Sequence, residues 1–143
     1  MDISVCIVNL NSIKYLKRCL ESLKKGIKDN SFEVIIVDNN SKDGSISYLE
    51  NYTEFKIKLI KNKFNSGYTK AMNQALKKSS GEHILVLNPD SILQDNSIDK
   101  LLMHSRRNKK IGVIGPKVID ESGNFQASCR RGVATPMAVF SYF

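Results

Sequence analysis

Four times along this chain a short β-rich apolar run gives way to helical apolar spacing, and no other feature limits the fold as tightly. The run Ile3-Ser4-Val5-Cys6-Ile7-Val8 is followed by Ile13, Leu16, Leu20 and Leu23, which recur at three and four as on one face of a helix. Asn11 or Ser12 is placed to cap that helix, since either side chain can accept from an unpaired first-turn amide. Phe32-Glu33-Val34-Ile35-Ile36-Val37 has the continuous apolar character of a central parallel strand. A short helix is expected over 45–51. Residues 55–60 alternate lysine with apolar side chains, which predicts an edge-like third strand. A helix over 66–78 would turn Ala71, Ala75 and Leu76 inward. A fourth strand follows over 83–87 and a fourth helix over 97–107. A fifth strand is expected at 111–115, and a hairpin over 117–125 turning at Ser122-Gly123. Such alternation with short links predicts an α/β fold, a parallel sheet flanked by helices.

At 143 residues the chain suits one domain with a single sheet-centred core. No apolar run approaches the ~20 residues of a membrane-spanning helix. The opening Met1-Asp2-Ile3-Ser4-Val5 reads directly into a strand without the pattern of a secretory leader, so a cytoplasmic location is expected. Cys6, Cys19 and Cys129 are too few and too scattered for a disulfide framework or a zinc site. Cys6 and Cys19 fall at apolar positions and are expected in the core. His83 and His104 are expected to be structural or solvated. The net charge of +8 favours anionic partners: nucleotide phosphates, an acidic membrane surface or nucleic acid. Most lysines are spread over helix faces, and only Arg106-Arg107-Asn108-Lys109-Lys110 is dense. The aromatic interleaving that single-strand binders use for stacking is not evident, so nucleic acid is not expected as a partner.

Ligands of parallel α/β sheets bind beyond the carboxyl ends of the strands, and here those ends carry unusual polar residues. Strand one ends in Asn9-Leu10-Asn11 and strand two in Asp38-Asn39-Asn40-Ser41-Lys42-Asp43-Gly44-Ser45. Asp38, projecting from the rim, can accept from a pyrimidine imide N–H or from ribose hydroxyls. Turn and capping chemistry explains Asp43-Gly44-Ser45 without a ligand, with Ser45 as cap. Asn65-Ser66-Gly67-Tyr68 follows strand three: Gly67 lets backbone approach a ligand, and the ensuing helix, with Asn73 along it, offers free amides to a diphosphate. Strand four ends in Asn88-Pro89-Asp90-Ser91, a stiff turn presenting a hard oxygen ligand suited to Mg²⁺ or Mn²⁺ between two phosphates. An Asx turn ahead of the next helix is the alternative for Asp90. Neither Gly-x-Gly-x-x-Gly after the first strand nor a Gly-x-x-x-x-Gly-Lys-Ser/Thr loop is present, which argues against dinucleotide oxidoreductases and P-loop NTPases.

Taken in series, Val8-Asn9-Leu10-Asn11, Val37 through Ser45, Asn65-Ser66-Gly67-Tyr68 through Asn73, and Leu87-Asn88-Pro89-Asp90-Ser91 resemble family 2 glycosyltransferases of the GT-A fold. The resemblance runs from Ile3 to about Arg131 and is nearest to the rhamnosyltransferase-type branch, which Gly115-Pro116-Lys117 and Ser128-Cys129-Arg130-Arg131 also resemble. It implies a Rossmann-like, mostly parallel sheet and an inverting transfer from a UDP- or dTDP-sugar to a saccharide or lipid-linked acceptor in cell-surface polysaccharide synthesis. It implies that Asp38 contacts the nucleobase, that Asn9, Asn11, Asn40, Asn65, Gly67, Asn73 and Asn88 line the donor site, and that Asp90 holds Mn²⁺ or Mg²⁺. Asn88 stands where the metal-binding Asp-x-Asp motif has its first carboxylate.

The family's general base lies in the second half of its domain, and neither Asp120 nor Glu121 matches it. The base is therefore expected beyond residue 143, with the chain cut off before the acceptor half and inactive alone. The apolar ending at Ala134 to Phe143 agrees, and its Met137, Val139 and Phe140 are expected to promote self-association into homo-oligomers. Peripheral association with an anionic inner membrane face is a further expectation. The competing reading is a non-enzymatic basic nucleotide- or nucleic-acid-binding module, which rests on charge alone.

Overall fold

The computed structural model describes residues 1–129. The fragment Arg130-Arg131 of the last motif and the apolar tail with Met137, Val139 and Phe140 lie outside the described residues. Residues 1–103 form one compact unit, and the described residues from 104 to 129 fall in another.

The first unit is a four-stranded parallel sheet in the order β3-β2-β1-β4. The elements in chain order are β1 (Ile3–Asn9), α1 (Ile13–Gly26), β2 (Phe32–Asp38), α2 (Ser45–Glu50), β3 (Ile57–Lys61), α3 (Tyr68–Leu76), β4 (His83–Leu87) and α4 (Ser97–Arg107), the last running past the boundary at residue 103. The two apolar runs read as central strands are central: every residue of β1 is buried, and all but the first of β2. The lysine-interleaved β3 lies at an edge, where its polar side chains reach water.

Period-two alternation divides the strand side chains between two cores. Ile3, Val5, Ile7, Val34 and Ile36 pack with Leu16, Leu20 and Leu23 of α1, Leu49 of α2, and Ile98 and Leu102 of α4. Cys6, Val8, Ile35 and Val37 pack on the other face with Ala71, Met72 and Ala75 of α3. Small residues on α3 let that helix lie close to the sheet. Its cover does not extend to β4, whose Ile84 and Val86 are about half exposed (50% and 51%). Cys6 and Cys19 are buried, as expected of small apolar residues.

The strand expected at 111–115 does not form. No ladder includes these residues among those described, and Val113 is 95% exposed. β-propensity becomes a strand only when a neighbouring strand takes up its amides and carbonyls, and here the Ile111 amide turns instead to a local partner, the Asn108 carbonyl at 3.1 Å. The hairpin is rudimentary: one antiparallel bridge, Ile119 with Phe125, closes a turn in which Gly123 adopts φ 83°. The Asp120 carboxylate holds that turn by accepting from the amides of Ser122 and Asn124.

Candidate functional site

The chain runs β1, β2, β3 outward in one direction and then returns to place β4 on the opposite side of β1. The carboxyl ends of β1 and β4 therefore flank the switch point of the sheet, where α/β folds bind ligands. Asn9 and Asn11 follow β1; Asn88 and Asp90 follow β4, whose Leu87 pairs with Ile7.

Asp38 is the fixed point of the β2 end. Expected to project from the rim, its carboxylate is instead fully buried. One oxygen accepts from Asn9 Nδ2 at 2.8 Å and the other from the Ser41 amide at 2.8 Å. The cause is register: Asp38 lies directly beside Asn9, so the two side chains meet within the sheet rather than above it. Asn9 Nδ2 also donates to Ser41 Oγ at 3.1 Å, whereas buried Asn9 Oδ1 has no hydrogen-bond partner among the described residues.

Above this knot the first two loops are sewn together. The Asn11 amide donates to Ser41 Oγ at 2.9 Å, and Asn11 Oδ1 accepts from the Lys42 amide at 2.7 Å. Asn11 and Asn40 both adopt left-handed backbone (φ 50° and 73°), which asparagine tolerates better than most residues. Asn40 accepts from Lys42 Nζ at 2.9 Å.

Asp43 has a structural role, with a different division of labour from the one expected. Ser12 holds the N-cap position of α1 but its side chain makes no capping bond there, and Gly44 rather than Ser45 holds that position in α2. The Asp43 carboxylate serves both helices, accepting from the Ile13 amide at 2.8 Å and from the Ser45 amide and hydroxyl at 3.0 and 2.6 Å. Burial would raise its pKa, but these hydrogen bonds, that of Ser45 Oγ foremost, hold it below the ordinary carboxylate value.

The β3–α3 loop is tied to the same edge through Asn39 and Ser66, which stood in the motifs without a role of their own, and through Asn62 and Gln74, which lay outside them. Asn62 Nδ2 lies within hydrogen-bonding distance of Asn39 Oδ1 (2.8 Å), Gln74 Oε1 (3.0 Å) and Ser66 Oγ (3.2 Å). For Asn62 and Gln74 the available signal was amide chemistry close to the motifs. Asn65 Oδ1 accepts from the Gly67 amide at 2.9 Å, so Asn65 shapes the turn. Gly67 takes φ 80° and ψ 159° ahead of α3, a conformation that only glycine adopts without strain. A Cβ there would meet nothing within 4 Å, so the space in front of the loop is open. Asn73 is exposed, on the side of α3 away from buried Ala71, Met72 and Ala75. Gln74, not Asn73, ties α3 to the loop.

Asn88 and Asp90 are exposed in the turn after β4. Cys19 of α1 lies beneath that turn and donates its thiol to the Asn88 carbonyl at 3.6 Å. Burial first, and the Asp90 carboxylate second, push the Cys19 thiol up to about 12, so it remains a neutral thiol and not a nucleophile.

Residues 4–135 match the family model described as glycosyl transferase family 2. The chain belongs to glycosyltransferase family 2. It is 30% identical over 127 residues to the glycosyltransferase GlyG of Streptococcus pneumoniae, covering 86% of this chain and 42% of that protein. The Staphylococcus aureus TarS structure in complex with UDP-GlcNAc superposes with a TM-score of 0.69 at 30% identity, over 76% of this chain and 32% of that one. A Pyrobaculum calidifontis mannosyltransferase in complex with GDP-Man and Mn²⁺ shares the fold at a TM-score of 0.62 and 20% identity, over 79% and 33%. The chain spans 30–42% of the length of the first curated relatives it matches. The architecture is that of the GT-A fold, as the series of motifs implied.

Among the described residues no cluster of three or more acidic, histidine or cysteine side chains could cage a metal within this family 2 chain. What Asp90 fits is the other mode of binding magnesium or manganese, one exposed carboxylate completed by substrate phosphate oxygens. No helix among these residues is long and apolar enough to cross a membrane.

Proposed function

We propose that the carboxyl edge of this sheet binds the nucleoside diphosphate of a UDP- or dTDP-sugar. The whole protein would transfer the sugar, with inversion, to a saccharide or lipid-linked acceptor in cell-surface polysaccharide synthesis. The observation that carries this reading is that all four parallel strands of a family 2 chain end in polar residues along one carboxyl edge, those after β1, β2 and β3 being hydrogen-bonded to one another. The TarS complexes with UDP and UDP-GlcNAc, proteins about 30% identical to this one, support it. The names of TarS and TarP, poly(ribitol-phosphate) β-N-acetylglucosaminyltransferases, support a polymeric acceptor. The rhamnosyltransferase-type branch remains part of the proposal on the strength of its motifs; none of the relatives named here carries that description.

Within this reading the residues divide by what they can reach. Asp38, buried and with both oxygens engaged, supports the nucleobase end from beneath by fixing Asn9 and the Ser41 loop. Asn11, Asn40, Asn65 and Asn88 lie at the surface of the edge with side chains able to meet base, ribose and phosphates. The open approach over Gly67 and the first turn of α3 would receive a phosphate. Asp90 would hold Mn²⁺ or Mg²⁺, which neutralises charge on the departing diphosphate. Asn73, on the outer side of α3, would reach the donor only at the margin of the site. The general base we place in a part of the protein outside these residues. The cluster Arg106-Arg107-Asn108-Lys109-Lys110 would favour an anionic membrane face.

Calorimetric titration tests the reading. UDP or dTDP should bind more tightly when Mn²⁺ is present, and Asp90→Asn should abolish the gain while leaving metal-free binding near the parent value. Binding of a single-stranded oligonucleotide in preference to either nucleotide would establish the basic-module reading instead.

A further inference from the structure

Helix α1 carries three small residues, Cys19, Ser22 and Gly26, at spacings of three and four, hence on one side of the helix. All three are buried, and all three meet the segment 88–96 that carries Asp90. At one end the Cys19 thiol donates to the Asn88 carbonyl. In the middle Ser22 Oγ accepts the Leu93 amide at 3.0 Å while donating to the Cys19 carbonyl at 2.7 Å. The Leu93 side chain sits directly against Gly26, where an added Cβ would come within 2.5 Å of Leu93 Cβ. At the far end the Lys25 carbonyl accepts the Asn96 amide at 2.8 Å, and Lys28 pairs with Asp95 at 2.6 Å. Asp90 itself is exposed and lies between two of these attachments, two residues after Asn88 and three before Leu93.

We propose that Cys19, Ser22 and Gly26 are positioning residues: through them α1 sets the place of Asp90 relative to the donor site, and so the affinity for the metal–diphosphate unit. Asp90 lies in a turn closed by the Ser91 amide on the Asn88 carbonyl at 3.1 Å, but from Ser91 to Gln94 the segment has no regular structure, so where that turn sits is not fixed by the segment's own backbone pattern. Contacts at Asn88, Leu93 and Asn96 supply that constraint from a rigid helix. A carboxylate that must share an ion with phosphate oxygens needs such a fixed origin, and groups that orient metal ligands from behind control affinity without touching the ion. This proposal rests on the donor-site reading given above.

The test is titration of UDP and of dTDP, each with and without Mn²⁺, into the protein and three variants: Gly26→Ala, Gly26→Ala/Leu93→Ala and Ser22→Ala. Gly26→Ala displaces Leu93 and should weaken Mn²⁺ in the nucleotide complex by about 10–100-fold, with metal-free nucleotide affinity unchanged. Truncating Leu93 makes room for the new methyl group. The double variant should therefore regain the metal response despite its lost core packing, a rescue that general destabilisation would not produce. Ser22→Ala removes only the hydroxyl that holds the Leu93 amide, shifts the response in the same direction, and decides the matter if Gly26→Ala does not fold. A metal response equal to the parent's in the folded variants overturns the clamp. A parent that binds neither nucleotide, or binds without responding to Mn²⁺, overturns the donor-site reading itself.

Discussion

Replacing Asp38 by alanine withdraws the acceptor from two donors that have no water to turn to. These are Asn9 Nδ2 and the Ser41 amide, each 2.8 Å from a fully buried carboxylate. An unsatisfied buried donor costs about 1–3 kcal/mol, which gives about 2–6 kcal/mol for the pair. Asn9 Nδ2 keeps its 3.1 Å contact with Ser41 Oγ, so the lower half, about 2–4 kcal/mol, is expected. Asparagine is the informative counterpart. Its carbonyl can take the Ser41 amide, and its amide then faces Asn9, whose Oδ1 lacks a partner among the described residues. Turning the Asn9 amide by half a rotation would present that oxygen to the new donor. Asp38→Asn should therefore cost only about 1 kcal/mol, the loss of charge assistance. Equilibrium urea unfolding at constant m-value measures both. A loss below about 1 kcal/mol in Asp38→Ala, or equal losses in the two variants, would refute the buried anchor. UDP affinity then separates support from contact. If Asp38 only supports the edge, Asp38→Asn binds UDP within about threefold of the parent. A drop of tenfold or more, the size expected when a hydrogen bond to a charged group is lost, would restore the direct nucleobase contact.

At the opposite end of the sheet, burial would raise the pKa of Glu33. Hydrogen bonds from Lys58, then Ser4, then the Ser80 amide and hydroxyl outweigh it and bring the carboxyl to about 2 from an ordinary 4.5. With the folded pKa depressed, the stabilisation is present above pH 4.5 and is lost as pH falls toward 2. Allowing for a half-exposed Lys58 ammonium, it amounts to roughly 2–3 kcal/mol. Acid unfolding of Glu33→Gln should show a flatter stability profile across that window, and an unchanged profile would remove Glu33 as its cause. Gly67→Ala should cost about 1–3 kcal/mol through backbone strain alone, because the new methyl group meets nothing, and thermal unfolding reads this directly. With the general base placed, as proposed, outside these residues, the 143-residue chain should release no nucleoside diphosphate in response to acceptor, since general-base catalysis contributes about 10²–10⁴-fold. Acceptor-dependent release equal to that of a longer relative would place the base within these residues.

The sheet was legible because burial and periodicity coincide in β1, β2 and α1, where the pattern of apolar residues is also the pattern of packing. Ile111-Gly112-Val113-Ile114-Gly115 shows the limit of that logic: its composition suits a strand, yet pairing depends on a neighbouring edge that composition does not reveal. At the carboxyl edge the motifs were legible as strand ends, whereas the hydrogen bonds their side chains make were not. That Asp38 would be spent on Asn9 depends on cross-strand register, which places two side chains 29 residues apart beside each other. That Asp43 would cap two helices, and that Gln74 rather than Asn73 would face the loop, depends on where helices begin and how they are rotated. The small residues of α1 read as core fillers because their partner, the segment after β4, has no periodicity of its own.

The claim that the carboxyl edge of this sheet is a nucleotide-sugar site is tested most directly by following backbone amide resonances during titration with UDP and Mn²⁺. The account predicts saturable shifts concentrated at residues 9–11, 38–42, 65–68 and 88–91, with the amides around Glu33 and Ser80 at the other end unmoved. Shifts confined to the basic residues 106–110, or scattered without saturation, would contradict it.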